Sequence, residues 1–448
     1  MIEPVGLFLR QHQRLILQVQ WLVVVVYAAL VVIPVFMPVP AEHELLWSNF
    51  RLFAQFCFWG VWWPGVMVAT LLLGRIWCGL LCPEGHLTEW ASRYGKGLAI
   101  PRWLRWSGWP MFSFVATTVY GQLVSVYEYP EAALLVLGGS TIAAVAVGWL
   151  FGREKRVWCR YLCPASGVFA LLSRIAPQHY AVDRWQWRTF RGEETAVNCA
   201  VLLDTGRMNS AAQCHACGRC AGQHNAIALK LRSPFAEITN LSVPVRTTEA
   251  LLLLFGMLGL ATMAFQWSSS PWYVAMKMVA AEWLVDHDYF LLLQDNAPWW
   301  LLTHHPAAND LFTWLDGALI LTYLLGGGAL LGSLLFTGPL LAERILRDRA
   351  LSWQRLTLAL LPLAAASIIL GLSMLTISHL RPTGLSLEWL PAARVILLAS
   401  GVAASGWLVV LLLRNSVAGV VRCLAAGACM LLPMAVISAI WMQMFFVW

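Results

Sequence analysis

Nine stretches of this 448-residue chain stay apolar for close to 20 residues or longer, and that decides its environment before any motif is read. A helix needs about 20 residues to cross the roughly 30 Å hydrocarbon core of a bilayer. The stretches fall near 17–38, 54–73, 108–128, 132–152, 247–267, 311–338, 357–378, 391–413 and 420–447. Charged residues are only 12% of the chain, against about 25% in soluble proteins, and the mean hydropathy is +0.67. The fold class read from this pattern is an all-α polytopic membrane protein of about nine transmembrane helices. The first stretch is longer than a leader core. It follows Arg10 and Arg14 and ends in the Pro-rich VFMPVPAEHE without a small-residue cleavage site, so it reads as an uncleaved helix.

Cytoplasmic loops of membrane proteins collect Lys and Arg. With the N-terminus inside, nine crossings place residues 1–16, 74–107, 153–246, 339–356 and 414–419 inside. These segments, with Arg422 at the edge of the last, hold 26 of the 30 Lys and Arg. Only Arg51, Lys277, Arg381 and Arg394 are left outside. The expected location is a bacterial inner membrane, with a cytoplasmic N-terminus and a periplasmic C-terminus. The net charge of +7 then reflects loops held against an anionic lipid leaflet, and no nucleic-acid partner is needed.

Eight of the eleven cysteines lie between Cys78 and Cys220, and they are patterned. Trp77-Cys78-Gly79-Leu80-Leu81-Cys82-Pro83 returns as Trp158-Cys159-Arg160-Tyr161-Leu162-Cys163-Pro164, each preceded by a basic residue and an apolar helix. Two copies imply a pseudo-symmetric site. Cys-x3-Cys-Pro is the tail of the bacterial ferredoxin run, where successive thiolates serve different clusters. The proline ends local helix and stiffens the approach. Cys57, Cys423 and Cys429 sit inside apolar runs and read as small packing hydrophobes.

The third element is Cys214-His215-Ala216-Cys217-Gly218-Arg219-Cys220, whose Cys-x2-Cys-x2-Cys spacing wraps three thiolates around one corner of a cubane. His224 stands where the ferredoxin run has its fourth cysteine, with Asn225 in place of the proline. Either His224 is a ligand or a distant cysteine completes the set. Cys78, Cys82, Cys159, Cys163, Cys199, Cys214, Cys217 and Cys220 make eight, the number that two [4Fe–4S] clusters require. The expected partition joins Cys214, Cys217 and Cys220 with Cys82 or Cys163, and gives Cys199 to the remaining three. Disulfides do not suit a reducing compartment, and Cys-x3-Cys-Pro is not a zinc spacing.

WCGLLCPEG, WCRYLCPASG and the CHACGRC loop resemble the NapH/NosR-type membrane polyferredoxin (4Fe-4S binding) family over about residues 50–230. The resemblance implies four core helices with clusters at the cytoplasmic face, carrying electrons between the quinol pool or a cytoplasmic donor and a periplasmic redox protein. The long membrane tail after residue 246 is also similar in architecture to the polyferredoxin subunit of FTR-type ferrous iron uptake systems, which implies permease subunits as partners. Three domains follow: 1–176 with the duplicated motif, 177–246 as a small cytoplasmic iron–sulfur module, and 247–448 as a five-helix membrane domain.

Electrons at the inner face cannot cross about 30 Å of hydrocarbon in one step, so a quinone, a haem b or a partner subunit is expected to continue the path. His287, His304, His305 and His379 map to the outer face with Asp286, Asp288 and Asp310, and are the candidate metal or haem ligands there. The alternative is that they are polar interface residues. Asp316 lies inside a span near its outer end, and Gly326-Gly327-Gly328 reads as a close-packing site. Residues 268–310 read as Trp-rich amphipathic helices in the outer interface. The function expected is electron transfer between two clusters and a quinone or periplasmic partner. A metal-ion permease subunit with redox-sensing clusters, or a metal reductase for cofactor assembly, are the alternatives, and whether the chain is an enzyme stays open.

Overall fold

The computed structural model describes residues 2–40, 44–192 and 197–448. Residues 41–43, part of the Pro-rich stretch after the first apolar helix, lie outside the described residues. Among the described residues, eight helices are long and apolar enough to cross a membrane: Gln13–Phe36, Phe50–Leu73, Pro130–Phe151, Thr247–Ser269, Trp314–Leu346, Trp353–Thr383, Leu390–Arg414 and Val420–Phe446. The remaining candidate, 108–128, forms the helix Trp109–Leu123 of 15 residues, about 22 Å at 1.5 Å per residue. It ends where Ser125 turns to φ 49° and Val126 N–H donates back to the Gly121 carbonyl.

By packing, the chain divides into two compact units that do not follow chain order. One comprises Met1–Leu30, Gly65–Phe114 and Leu137–Pro244 and contains all eight patterned cysteines. This unit also carries the antiparallel pair β1 (Gln178–Val182) and β2 (Ile227–Leu231), with Gln178 opposite Leu231 and Val182 opposite Ile227. Tyr180, Ile227 and Leu229 bury their side chains with Met208 and Ala221 in a small core against which Cys214 and Cys220 pack.

The second unit comprises Val31–Pro64, Val115–Val136 and Val245–Trp448. Its tightest crossing is between Thr247–Ser269 and Trp314–Leu346. A Cβ on Gly259 would stand 2.6 Å from the Gly328 carbonyl, and one on Gly327 would stand 3.0 Å from Met263 Sδ. Gly326 meets nothing, so two of the three glycines account for the close approach. Asp316 caps its own helix, accepting from the backbone and hydroxyl of Thr313, and pairs with Lys277. That satisfies one of the orphan N–H groups at a helix start and explains a carboxylate at this depth. The Trp-rich helix Pro271–Asp286 buries Tyr273 and Leu284 and leaves Trp272, Met278, Val279 and Trp283 exposed.

Candidate iron–sulfur centre

The duplicated motif folds twice into the same local structure. Arg75 and Arg156 precede the short helices Ile76–Leu80 and Val157–Tyr161, which carry Cys78 and Cys159. In each copy the tryptophan carbonyl accepts two backbone N–H groups: Leu81 and Cys82 donate to Trp77, Leu162 and Cys163 to Trp158. Cys82 and Cys163 then stand at the N-cap of the helices that open with Pro83 and Pro164. Proline fits this first helical position because its missing N–H would be unsatisfied anyway, and a helix start favours a thiolate.

The Cys214–Cys220 loop turns through two left-handed residues, Ala216 at φ 50° and Gly218 at φ 80°. Glycine removes the strain at position 218, where a Cβ would also meet Leu9 at 2.5 Å. The loop lies directly on the first motif: a Cβ on Gly79 would fall 2.1 Å from the His215 carbonyl and 2.9 Å from Cys217 N. The N-terminal helix Glu3–Gln11 covers it, with Arg10 donating to the Ala221 carbonyl at 2.7 Å and Gln13 to the Cys217 carbonyl at 3.3 Å.

All eight thiols are free, and they fall into two sets of four. Cys199, Cys214, Cys217 and Cys220 line one recess with Arg156 and Tyr180. Cys82 and Cys163 feel the charge of Cys78 and Cys159. The sequence reading places Cys199 with the Cys-x3-Cys thiols; in the structure Cys199 lines the recess of the Cys-x2-Cys-x2-Cys loop, and the Ala200 carbonyl beside it accepts from Arg156 N–H at 2.7 Å.

Burial pushes the Cys159 and Cys214 thiols up to about 12, with Cys78 adding to the first and Cys217 and Cys199 to the second. Cys82 and Cys163 are raised well above the ordinary thiol range for the same reasons. Four buried thiolates repel one another and lack water, so they are stable together only against a strongly cationic centre. Buried donors without a protein partner, Tyr180 Oη, His215 Nδ1, Arg75 Nε and Arg156 Nη2, supply hydrogen bonds of the kind that cluster sulfurs accept. The residues fit [4Fe–4S] centres.

His224 is not among either set. It adopts φ 52° and stacks on Phe190 at 4.5 Å and 6°, with Trp187 at 4.3 Å on its ring. The histidine at the fourth ferredoxin position is thus held as an aromatic. Alanine at 224 is expected to leave iron content unchanged; loss of one whole cluster, read by iron and sulfide assay, would make His224 a ligand.

The outer-face histidines do not gather. His305 stacks on Tyr129 at 3.5 Å, His379 bonds its own helix at the Leu375 carbonyl and lies 6.3 Å from Phe56, and His287 stacks on Trp283. His304 pairs with Leu311 across the short ladder β3 (His304–His305) and β4 (Asp310–Leu311). Among the described residues none of the four falls in a cluster of three or more His, Cys, Asp or Glu side chains.

The sequence singled out neither Glu89 nor Glu237. Glu89 binds Arg156 at 2.8 Å and Arg219 at 2.6 Å. Glu237 binds Arg174 at 3.0 Å, Arg232, Ser210 at 2.6 Å and the Ala211 N–H at 3.0 Å. Their only sequence signal is a carboxylate in a strongly basic segment.

The 4Fe-4S binding domain family matches residues 56–107 and 134–180, which contain both Cys-x3-Cys-Pro copies. YccM, a proposed electron transport protein of Escherichia coli (strain K12), is 23% identical over 235 residues, 45% of this chain and 65% of that protein. NirI of Paracoccus denitrificans (strain Pd 1222) is 28% identical over 184 residues, 35% of this chain and 26% of that protein. The chain spans less than two thirds of either relative. No solved structure matches it. With its apolar helices and its duplicated motif, this multi-pass membrane protein carries in its front half a 4Fe-4S binding domain of the NapH/NosR membrane polyferredoxin type.

Proposed function

We propose that the chain is an electron-transfer protein holding two [4Fe–4S] clusters at the cytoplasmic face of a bacterial inner membrane. One would be held by Cys78, Cys82, Cys159 and Cys163, the other by Cys199, Cys214, Cys217 and Cys220. The observation that carries this reading is the division of eight free thiols, all buried or half-buried, into two sets of four. The sidedness rests on the 26 of 30 Lys and Arg assigned to one set of loops.

Bound clusters supply reversible one-electron storage. The protein's own part is to ligate, to exclude water and to set charge. Arg75, Arg156 and Arg219 offset thiolate charge, and the N-terminal helix covers the loop that carries three thiolates.

On this reading the acceptor or donor on the far side is a quinone or a periplasmic redox protein. In support of a quinone, the second unit holds proton-exchanging groups together: Tyr129 donates to Asp310 at 2.8 Å, His305 stacks on Tyr129, and Arg51 lies 3.8 Å from Glu131. Quinone reduction takes up protons along with electrons, which such groups can deliver. Service to ferrous iron uptake rests on the long membrane tail. The permease alternative gains nothing from Asp316, which is occupied as a helix cap.

Anaerobically purified protein is expected to hold about eight irons and about eight acid-labile sulfides per chain. Iron near four would remove one cluster, and zinc without visible charge-transfer absorption would overturn the iron–sulfur reading.

A further inference from the structure

Arg75 and Arg156 occupy the same place in the two copies of the repeat, two residues before each Trp-Cys, and both side chains are buried. Each nevertheless reaches away from its own copy. Arg75 donates from Nη1 to the Ala212 carbonyl at 2.8 Å, beside the third motif, and from Nη2 to Ser166 Oγ at 2.9 Å, beside the second. Ser166 Oγ in turn donates to the Cys159 carbonyl at 2.9 Å. Arg156 donates from Nη1 to the carbonyls of Cys78 and Gly79 and lines the recess of Cys199, Cys214, Cys217 and Cys220. The Arg156 charge acts on Cys159 and Cys217, and the Arg75 charge on Cys159 and Cys214, one member of each thiol set in both cases.

Between the sets there is little else but backbone, since Gly79 lies against His215 and Cys217. Glu89 anchors the arrangement, holding Arg156 Nε at 2.8 Å and Arg219 Nη2 at 2.6 Å. One carboxylate between two guanidinium groups leaves the trio net positive. Topology signals would be solvated at the bilayer surface, whereas Arg156 is 1% exposed and has Nη2 turned to no protein acceptor.

We propose that Arg75 and Arg156 form a shared cationic partition between the two cluster sites, so that each guanidinium sets the potential of both clusters together. The inference rests on the two-cluster reading above. A fixed positive charge favours the reduced, more negative form of any cluster beside it, and low local dielectric strengthens the effect. Because both clusters feel the same cations, their potentials rise and fall in parallel, which leaves the driving force for transfer between them unchanged. The two arginines are positioning residues for the electron path and bind no iron.

The test is an anaerobic redox titration of the full-length protein, following both clusters by EPR, after iron and sulfide have been counted. Arg156→Gln and Arg75→Gln are each expected to lower both midpoint potentials, by an amount near a tenfold change in the reduced-to-oxidised ratio, or ~59 mV for a one-electron couple. Arg156→Lys, which keeps the charge, is expected to stay close to the wild type. Glu89→Gln, which removes the neighbouring negative charge and keeps an acceptor, is expected to move both potentials the other way. A purely structural role would not produce opposite signs. A shift confined to one cluster, or none in protein with full iron, overturns the proposal. If Arg156→Gln fails to load, Glu89→Gln and Arg156→Lys decide it by the same criterion. Wild-type protein without two clusters would overturn the function proposed above, and this inference with it.

Discussion

Serine at Cys199 is expected to remove about half of the iron, serine at Cys217 the same half, and the double variant no more than either alone. All three would retain about four irons per chain, held by Cys78, Cys82, Cys159 and Cys163. The expectation follows from the recess that Cys199, Cys214, Cys217 and Cys220 share. Residues acting as one unit are not additive. By contrast, Cys78→Ser combined with Cys217→Ser is expected to empty both sites. Iron and sulfide assays, with EPR to identify the surviving cluster, read the result. If Cys199→Ser and Cys217→Ser together remove nearly all iron, Cys199 belongs with the Cys-x3-Cys pairs and the structural grouping fails.

The second large effect is expected at Glu237, which is remote from any thiolate. Its carboxylate is 1% exposed and is shared between Arg174 and Arg232, whose side chains are 3% and 9% exposed. It also accepts from Ser210 and the Ala211 N–H at the start of the segment leading into Cys214. Glu237→Ala removes the buried carboxylate that two buried guanidinium groups share. Removing one partner of a buried pair costs about 3–5 kcal/mol. A small module stabilised by roughly 5–15 kcal/mol loses a large share of that. The expected outcome is loss of the loop cluster on mild heating while the membrane helices persist, followed by cluster absorbance against far-ultraviolet circular dichroism. Glu237→Gln keeps two acceptors and is expected to lose less. Unchanged thermal loss of absorbance in Glu237→Ala would show that the carboxylate does not hold the loop.

The two predictions draw on different layers of information. The thiol count and the motif spacing are local. Cys-x3-Cys-Pro and Cys-x2-Cys-x2-Cys each fix a short piece of backbone, and the Leu81/Cys82 and Leu162/Cys163 hydrogen bonds to Trp77 and Trp158 repeat as the duplicated sequence implies. Glu237 carries no such mark, since a lone carboxylate in a basic segment looks the same whether solvated or buried. His224 is ambiguous in the sequence for another reason: its position in the ferredoxin run leaves ligand or bystander open, and only the fold sets it in a left-handed turn against the rings of Trp187 and Phe190.

The sequence by itself determined that the chain lives in a membrane, where its apolar helices lie, that one motif is duplicated, and that eight thiols are available. Each of these depends on residue type over a window of about 20 residues or fewer, within which composition and spacing dictate structure. Tertiary structure alone decided that Cys199 lines one recess with Cys214, Cys217 and Cys220, and that Arg75 and Arg156, in the sequence only basic residues beside the motifs, are buried. It also decided that Glu89 and Glu237 are buried anchors and that the N-terminal helix covers the cysteine loop. Several of these are choices among partners far apart in the chain, such as Arg156 with Glu89, 67 residues away, and Arg10 with Ala221, 211 residues away. Spacing along the chain cannot rank them, because the free energy that selects one pairing comes from burial and charge satisfaction, which exist only once the segments have met.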